Sequence, residues 1–445
     1  MKTVLFEQAR SSAIVALLNL SFCGLVLAED NISYLEFEQA VAIAQQNDPW
    51  LQANVLRENS LRSLSVSANT LPNPAVSVSL ANLPTDSWDF GQEAMSQFNV
   101  RVSQTIPRGD SRELRSAQLN VLSDQHPLQR LDRQAQVAMT TALLWLDIYR
   151  AQQSIALIKQ DRGLFEQLVD VVNLNYSSAT GQTRQQDLVR AQLELTSLDD
   201  RLTVLELNRR TAQARLSEWV GDLAYLDVAA SLPEIPITQA DTAMESIEDR
   251  LVRHPKILAL DERIRSSDLG VSLAEQEYKP MWSVNASYGY RDQDLLGNSR
   301  ADLFSVGIGF DLPLFTLSRQ DKAVESAIFE REAILTDRHL ALRELRAGYE
   351  LATQRADLLE QRLNIYDSQL LEQMSEQAES SLNGYTNDDG DFAEVVRSYI
   401  AELNAQIERL SIAVDLNKSQ VEINYYLSGS AIQRDPQSVA FGESQ

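Results

Sequence analysis

Cysteine is nearly absent: 445 residues contain one, together with three histidines and six methionines. His126, His254 and His339 stand apart on helical stretches. Neither a zinc set nor a nucleophilic triad therefore has its partners at motif spacing. The methionines are scattered, which leaves no track of soft metal ligands. Glycine (16) and proline (12) are also scarce. With few breakers and many Leu, Ala, Gln, Glu and Arg residues, the composition favours long helices. Lys and Arg number 39 against 63 acidic residues, a formal net charge of -24. So acidic a chain lacks the basic surface that binds phosphate backbones, which argues against a nucleic-acid partner. It fits a solvated surface or one that attracts cations. With no catalytic constellation and no cofactor motif, an enzyme is the least supported class.

What hydrophobic run there is lies at the N-terminus. Lys2 and Arg10 flank Glu7, an apolar stretch follows from Ala13, and it closes on Val26-Leu27-Ala28 before Glu29-Asp30. A basic start, a short apolar centre and a small residue at the cut predict a secretory signal over 1–28. The run is short and polar within for an uncleaved anchor. Cys23 follows Leu20-Ser21-Phe22, a loose resemblance to a lipoprotein cleavage site with an oversized residue at Phe22. Cleavage after Ala28 would leave a mature chain without cysteine, suited to an oxidising compartment.

The remainder reads as two copies of one unit. Pro49 and Pro255 are 206 residues apart, as are Pro107 and Pro313; Gly181 and Gly384 are 203 apart, and Gly221 and Gly429 are 208 apart. Four landmarks in one order at nearly one offset predict a tandem repeat, 29–221 and 243–429, with a linker over 222–242 and a tail over 430–445. Each copy is expected to run helix, strand, strand, long helix, tip, helix. The first helices are placed near 33–69 and 243–277, the long ones near 109–178 and 316–381, and the return helices near 184–219 and 391–427. Leu188, Ala191, Leu195, Leu198, Leu202, Leu205, Ala212 and Leu216 follow a 3-4 spacing, with Arg209 in one slot. Val396, Ile400, Leu403, Ile407, Leu410, Val414 and Val421 do the same, with Asn417 in one slot. Such seams pack as coiled coils. About 70 residues at 1.5 Å each make a helix of about 105 Å, so the expected body is a rod. Pro127 is expected to kink the first long helix.

Between the helices the period drops to two. Over 74–82 Val76, Val78 and Leu80 alternate with serines, and over 97–107 Phe98, Val100 and Val102 alternate with Asn99, Arg101 and Ser103. Over 281–290 Val284 and Tyr288 alternate with Asn285 and Ser287, and over 303–313 Val306 and Ile308 alternate with Ser305 and Gly307. Strands of about ten residues, greasy on one face and polar on the other, suit a tilted crossing of a bilayer. The competing reading is half of a soluble sandwich. Four strands cannot close a barrel, and lipid does not tolerate open edges. Copies must then share one: two would give eight strands, three would give twelve and a water-filled lumen. The trimer is the preferred expectation.

With these features in place the chain resembles the TolC-type outer-membrane factor family over nearly all of its mature length. Leu71-Pro72-Asn73-Pro74 is similar to the segment typical of the heavy-metal (Czc- and Cus-like) branch, and Gln104-Thr105-Ile106-Pro107-Arg108-Gly109 resembles the family's strand exit. Tyr176 through Gly181 to Asp187-Leu188 resembles its tip. The resemblance implies a mainly helical chain forming a periplasmic α-barrel, with four strands per chain in a 12-stranded trimeric β-barrel. It implies a passive outer-membrane efflux duct in a Gram-negative bacterium, docked onto a periplasmic adaptor and an inner-membrane pump of the RND (proton-driven) type. A duct for type I protein secretion and a periplasmic coiled-coil scaffold are the rival readings.

The tips are the candidate site. Asp391 and Glu394 lie i, i+3 and follow Gly384 by the distance at which the family carries its acidic aperture residues, with Asp388 and Asp389 nearby. Three copies would stack such acids into rings that focus cations; the plainer reading is solvated turn acids. Asp187 and Arg190 share the i, i+3 spacing and are candidates for a closing pair. Gly181 and Gly384 are expected to make tight turns, with adaptor contact as the added hypothesis. Val100, Val102, Val284, Tyr288, Val306 and Ile308 are the candidate lipid-facing residues.

Overall fold

The computed structural model describes residues 34–177, 185–237, 246–387 and 390–429. The expected signal over 1–28, the tail over 430–445, Gly181, Asp388 and Asp389 lie outside the described residues. In chain order the elements are β1 (Tyr34–Leu35), α1 (Phe37–Gln46), α2 (Pro49–Ala68), β2 (Ala75–Ala81), β3 (Gln97–Ile106), α3 (Ser111–Ser177) and α4 (Gln185–Val220). There follow β4 (Asp227–Val228), α5 (Ile247–Val252), α6 (Pro255–Glu275), β5 (Trp282–Tyr290), β6 (Leu303–Phe310), α7 (Gln320–Ile365), α8 (Leu371–Thr386) and α9 (Phe392–Tyr426).

Two expected single helices are each broken in two. The span 33–69 divides at Asn47-Asp48 into α1 and α2, and 243–277 divides at Arg253-His254 into α5 and α6. Proline disfavours helical geometry in the residue before it but suits the first helical position. Asp48 (φ -70°, ψ 109°) and His254 (φ -59°, ψ 136°) are accordingly extended, and each caps the new helix. Asp48 accepts from the Trp50 N–H at 3.0 Å, and His254 Nδ1 accepts from the Lys256 N–H at 3.2 Å.

The long helices are long indeed. α3 runs unbroken through Pro127 for 67 residues, about 100 Å. Its counterpart begins at Gln320 and reaches Thr386 as α7 and α8 joined by a π-helical turn at Tyr366–Leu370. Arg409 on α9 grips that turn through both carboxylate oxygens of Asp367, at 2.8 and 3.1 Å. α3 packs on α2 and α6 toward the sheet and on α4 and α9 toward the tip. Its apolar stripe and the return-helix seams meet in one cluster that includes Ile158, Phe165, Leu198, Val396 and Leu403.

A second cluster sits halfway along. Trp145 is fully buried, stacks on Tyr149, and donates its indole N–H to the Leu35 carbonyl at 2.9 Å. β1 and β4 pair in parallel beside it. The chain over 221–237 crosses the helices here as a strap. Gln152 holds Val228 through both its N–H and its carbonyl, at 3.0 and 2.9 Å.

The four longer strands form one antiparallel sheet in the order β2-β3-β5-β6. The register pairs Val78 with Val100, Val100 with Tyr288, Val284 with Ile308, and Ala286 with Val306. Residues directly opposite share a face, so the apolar positions of all four strands form one surface. Gln104, paired with Val284, interrupts it and donates to the Pro72 carbonyl at 2.8 Å. A sandwich would cover this surface with a second layer. Val306 is 65 % and Ile308 68 % exposed, and no layer covers them among the described residues. Both edges, β2 and β6, are open.

Candidate functional site

The tip between α8 and α9 is built from a few local bonds. α8 ends on Asn387, whose N–H and side-chain amide both reach the Asn383 carbonyl, at 3.2 and 2.8 Å. Gly384 lies inside α8 and does not have positive φ, which corrects the expectation of a tight turn there. The close approach belongs to Gly390 instead. A Cβ placed on it would lie 2.6 Å from the Tyr385 nitrogen and 2.8 Å from the Gly384 carbonyl carbon. The Tyr385 and Phe392 rings meet edge to face at 5.6 Å across the turn.

Asp391 starts α9. Its backbone is extended (φ -93°, ψ 127°) and its carboxylate accepts from the Ala393 N–H at 3.1 Å, an N-cap that satisfies one orphan donor. Its side chain is exposed, so one oxygen remains for solvent or a cation. Glu394, one turn on, pairs with Arg397 at 3.0 Å. Sequence reasoning missed Arg397, although its i, i+3 spacing from Glu394 was there to read. Deeper in the bundle Asp161 faces Glu402. Burial pushes the Asp161 carboxyl up, and the neighbouring charge adds to the shift. On the other hairpin Asp187 and Arg190 lie near the start of α4; Arg190 is exposed, and the Asp187 side chain is outside the described residues. The structure thus brings Asp391 and Glu394 to one exposed helix start, and the expected Asp187–Arg190 pair falls outside the described side chains.

The opposite end of the rod joins the sheet through an ionic clamp. Arg108, just after β3, bonds Asp311, just after β6, at 2.5 Å and the Lys279 carbonyl at 2.9 Å. Asp311 also accepts from the Met281 N–H at 2.6 Å. Three strand ends are therefore fixed to one another where helix gives way to sheet. No sequence spacing announces this contact, because its residues are 203 apart.

On the sheet itself Val102, Val284, Tyr288, Val306 and Ile308 are exposed, and Val100 is half-buried between its neighbours. Among the described residues no group of His, Cys, Asp and Glu is placed to hold a metal, and no helix is long and apolar enough to cross a membrane.

No family model and no curated protein matches the chain. Solved structures do. The outer-membrane channel OprN is 16 % identical over 88 % of this chain and 90 % of its own, with a TM-score of 0.73. The CmeC outer-membrane channel of Campylobacter jejuni is 13 % identical over 90 % and 89 %, with a TM-score of 0.72. CusC, whose structures describe transmembrane channel formation, is 12 % identical over 89 % and 93 %, with a TM-score of 0.69. CusC is no more similar than the other two, so these likenesses do not single out the heavy-metal branch.

Proposed function

From a chain with the fold of the TolC-type outer-membrane channels, we infer that this protein is the outer-membrane duct of an efflux assembly. It is a passive conduit and not an enzyme, seated in the outer membrane of a Gram-negative bacterium with a long periplasmic extension. The observation that carries this reading is the four-stranded sheet, apolar on one uncovered face and open at both edges. Lipid satisfies the uncovered face, and only pairing with further copies satisfies the edges. Three copies give twelve strands, enough for a water-filled lumen; two give eight, whose interior side chains fill.

The two halves of the chain act as two copies of one unit, which lets six hairpin tips from three chains close the periplasmic end. At those tips Asp391 and Glu394, with Asp388 and Asp389, form acidic rings that admit cations. Gly181, Asp187, Arg190 and Gly384 lie where a periplasmic adaptor would dock, beneath an inner-membrane pump of the RND type. The cargo is small solutes or metal cations. Leu71-Pro74 favours efflux over the rival duct for type I protein secretion, and neighbouring genes for a proton-driven pump or an ATP-driven exporter would separate the two.

The test is fractionation and reconstitution. The duct reading expects the protein in outer membranes, extracted by detergent as a trimer that conducts ions in a planar bilayer. Release of a monomer by osmotic shock would sink it in favour of the periplasmic scaffold.

A further inference from the structure

The strand residues of β2, β3, β5 and β6 carry a single formal charge between them, Arg101. It lies on the polar face, near the middle of β3, directly opposite Ser77 on one side and Ser287 on the other. Ser287 in turn faces Ser305, so the row across the sheet reads Ser, Arg, Ser, Ser. The adjacent rows on this face read Ser79, Asn99, Gly289 and Leu303 on one side and Ala75, Ser103, Asn285 and Gly307 on the other. Glycine on this face leaves room for side chains lying flat: Gly307 sits under Asn285, and Gly309 under Ser283 Oγ.

The other arginines around the sheet are occupied. Arg108 holds Asp311, while Arg291 and Arg300 bond the carbonyls of Ala301 and Glu93 in the connecting loops. Arg101 is exposed and has no hydrogen bond or ion pair among the described residues. A neighbouring copy cannot neutralise it at the same level, because none of these strands contains an Asp or Glu. A guanidinium holds its charge at any working pH and forks onto carboxylates and phosphates. In a chain with 63 acidic residues, the one charge on this face is therefore basic.

We propose that Arg101 makes the barrel lumen a relay for anions: three copies form a ring that transiently binds carboxylate- or phosphate-bearing solutes on their way out. This rests on the trimeric-duct reading. The tip acids and the barrel arginine then act on opposite charges at opposite ends of the same path, so each can be read separately. Three unit charges about 10 Å from the axis, screened at 0.1 M salt, shift the anion-to-cation permeability ratio about fourfold.

The experiment measures reversal potentials of the purified full-length protein in planar bilayers across a KCl gradient. Arg101→Gln is expected to lower the chloride-to-potassium ratio about fourfold, Arg101→Lys to keep it, and 1 M salt to erase the difference. Channels that conduct with the same ratio in wild type and Arg101→Gln would overturn the proposal while leaving the duct intact. A wild-type trimer that conducts no ions would instead overturn the duct and this proposal with it.

Discussion

Arg209 on α4 and Asn417 on α9, the one polar slot in each apolar seam, both reach the strap that crosses the middle of the rod. Arg209 pairs with Asp227 at 3.0 Å, and the Asn417 amide donates to the Pro233 carbonyl at 2.7 Å. Each seam gives up a hydrophobic position at the level where the strap passes. Asn417 is explained by the half-buried strap carbonyl it satisfies, and Arg209 by the exposed strap carboxylate it reaches.

Removing the Asn417 amide should therefore cost more than its seam position implies. Asn417→Leu improves the seam pattern but leaves the Pro233 carbonyl without its donor, at a cost of about 1–3 kcal/mol. A lower midpoint in thermal unfolding is the expected result. A rise would show that the seam, not the strap, governs this level.

The two tip glycines should behave oppositely. At Gly390 a methyl group meets backbone at 2.6 and 2.8 Å, so Gly390→Ala must shift the turn. At Gly384 the nearest atom outside its own helical surroundings is 3.9 Å away, and alanine there gains helix propensity of roughly 0.5–1 kcal/mol. Limited proteolysis at the tip should quicken in Gly390→Ala and slow or stay level in Gly384→Ala. Matching rates in the two variants would remove Gly390 as the constraint.

The cap made by Asp391 and the aperture role proposed for it are separated by one pair of variants. Asn is as good an N-cap as Asp, so Asp391→Asn should keep stability, while Asp391→Ala loses about 1 kcal/mol. Combined with Glu394→Gln, Asp391→Asn should also reduce cation preference in bilayer recordings. Unchanged selectivity would leave Asp391 as a cap alone.

His254 gives the rod a pH dependence. It is fully buried between α5 and α6, and burial lowers its pKa from 6.5 to about 4, opposed by its bond to the Tyr425 carbonyl and helped by Lys256. It is neutral near pH 7, so its 4.0 Å approach to Asp132 is not an ion pair there. Between pH 6.5 and 4 the unfolded chain binds the extra proton, so stability falls as pH falls through that window. The full loss is roughly 3 kcal/mol. Asp132, its carboxyl pushed up by burial, works in the opposite sense: its contribution is lost as pH rises through its folded pKa. His254→Asn keeps a cap and Asp132 alike, so its melting temperature should fall less between pH 7 and pH 4.5 than that of the wild type. Parallel curves would contradict the assignment.

The alternation of Val76 through Ile308 was legible because a period of two fits a strand and not a helix. The helix seams were legible for the same reason, and so was the existence of polar slots in them. What those slots bind was not, since Asn417 and Pro233 are 184 residues apart. The breaks before Pro49 and Pro255 were hidden because proline at the first helical turn leaves the apolar spacing on either side undisturbed. Gly384 drew attention by its offset from Gly181, while the residue under steric constraint is six positions later. Arg101 was visible in the alternation but carried no weight until the register put serines on both sides of it.

The open edges at β2 and β6 make concentration a structural variable. Among the described residues nothing pairs with the outermost backbone groups, so on the duct proposed above the sheet of one chain is finished only by another. Its ordering would then follow mass action: the melting temperature should climb as protein is added, and a diluted chain should keep its helices longer than its strands.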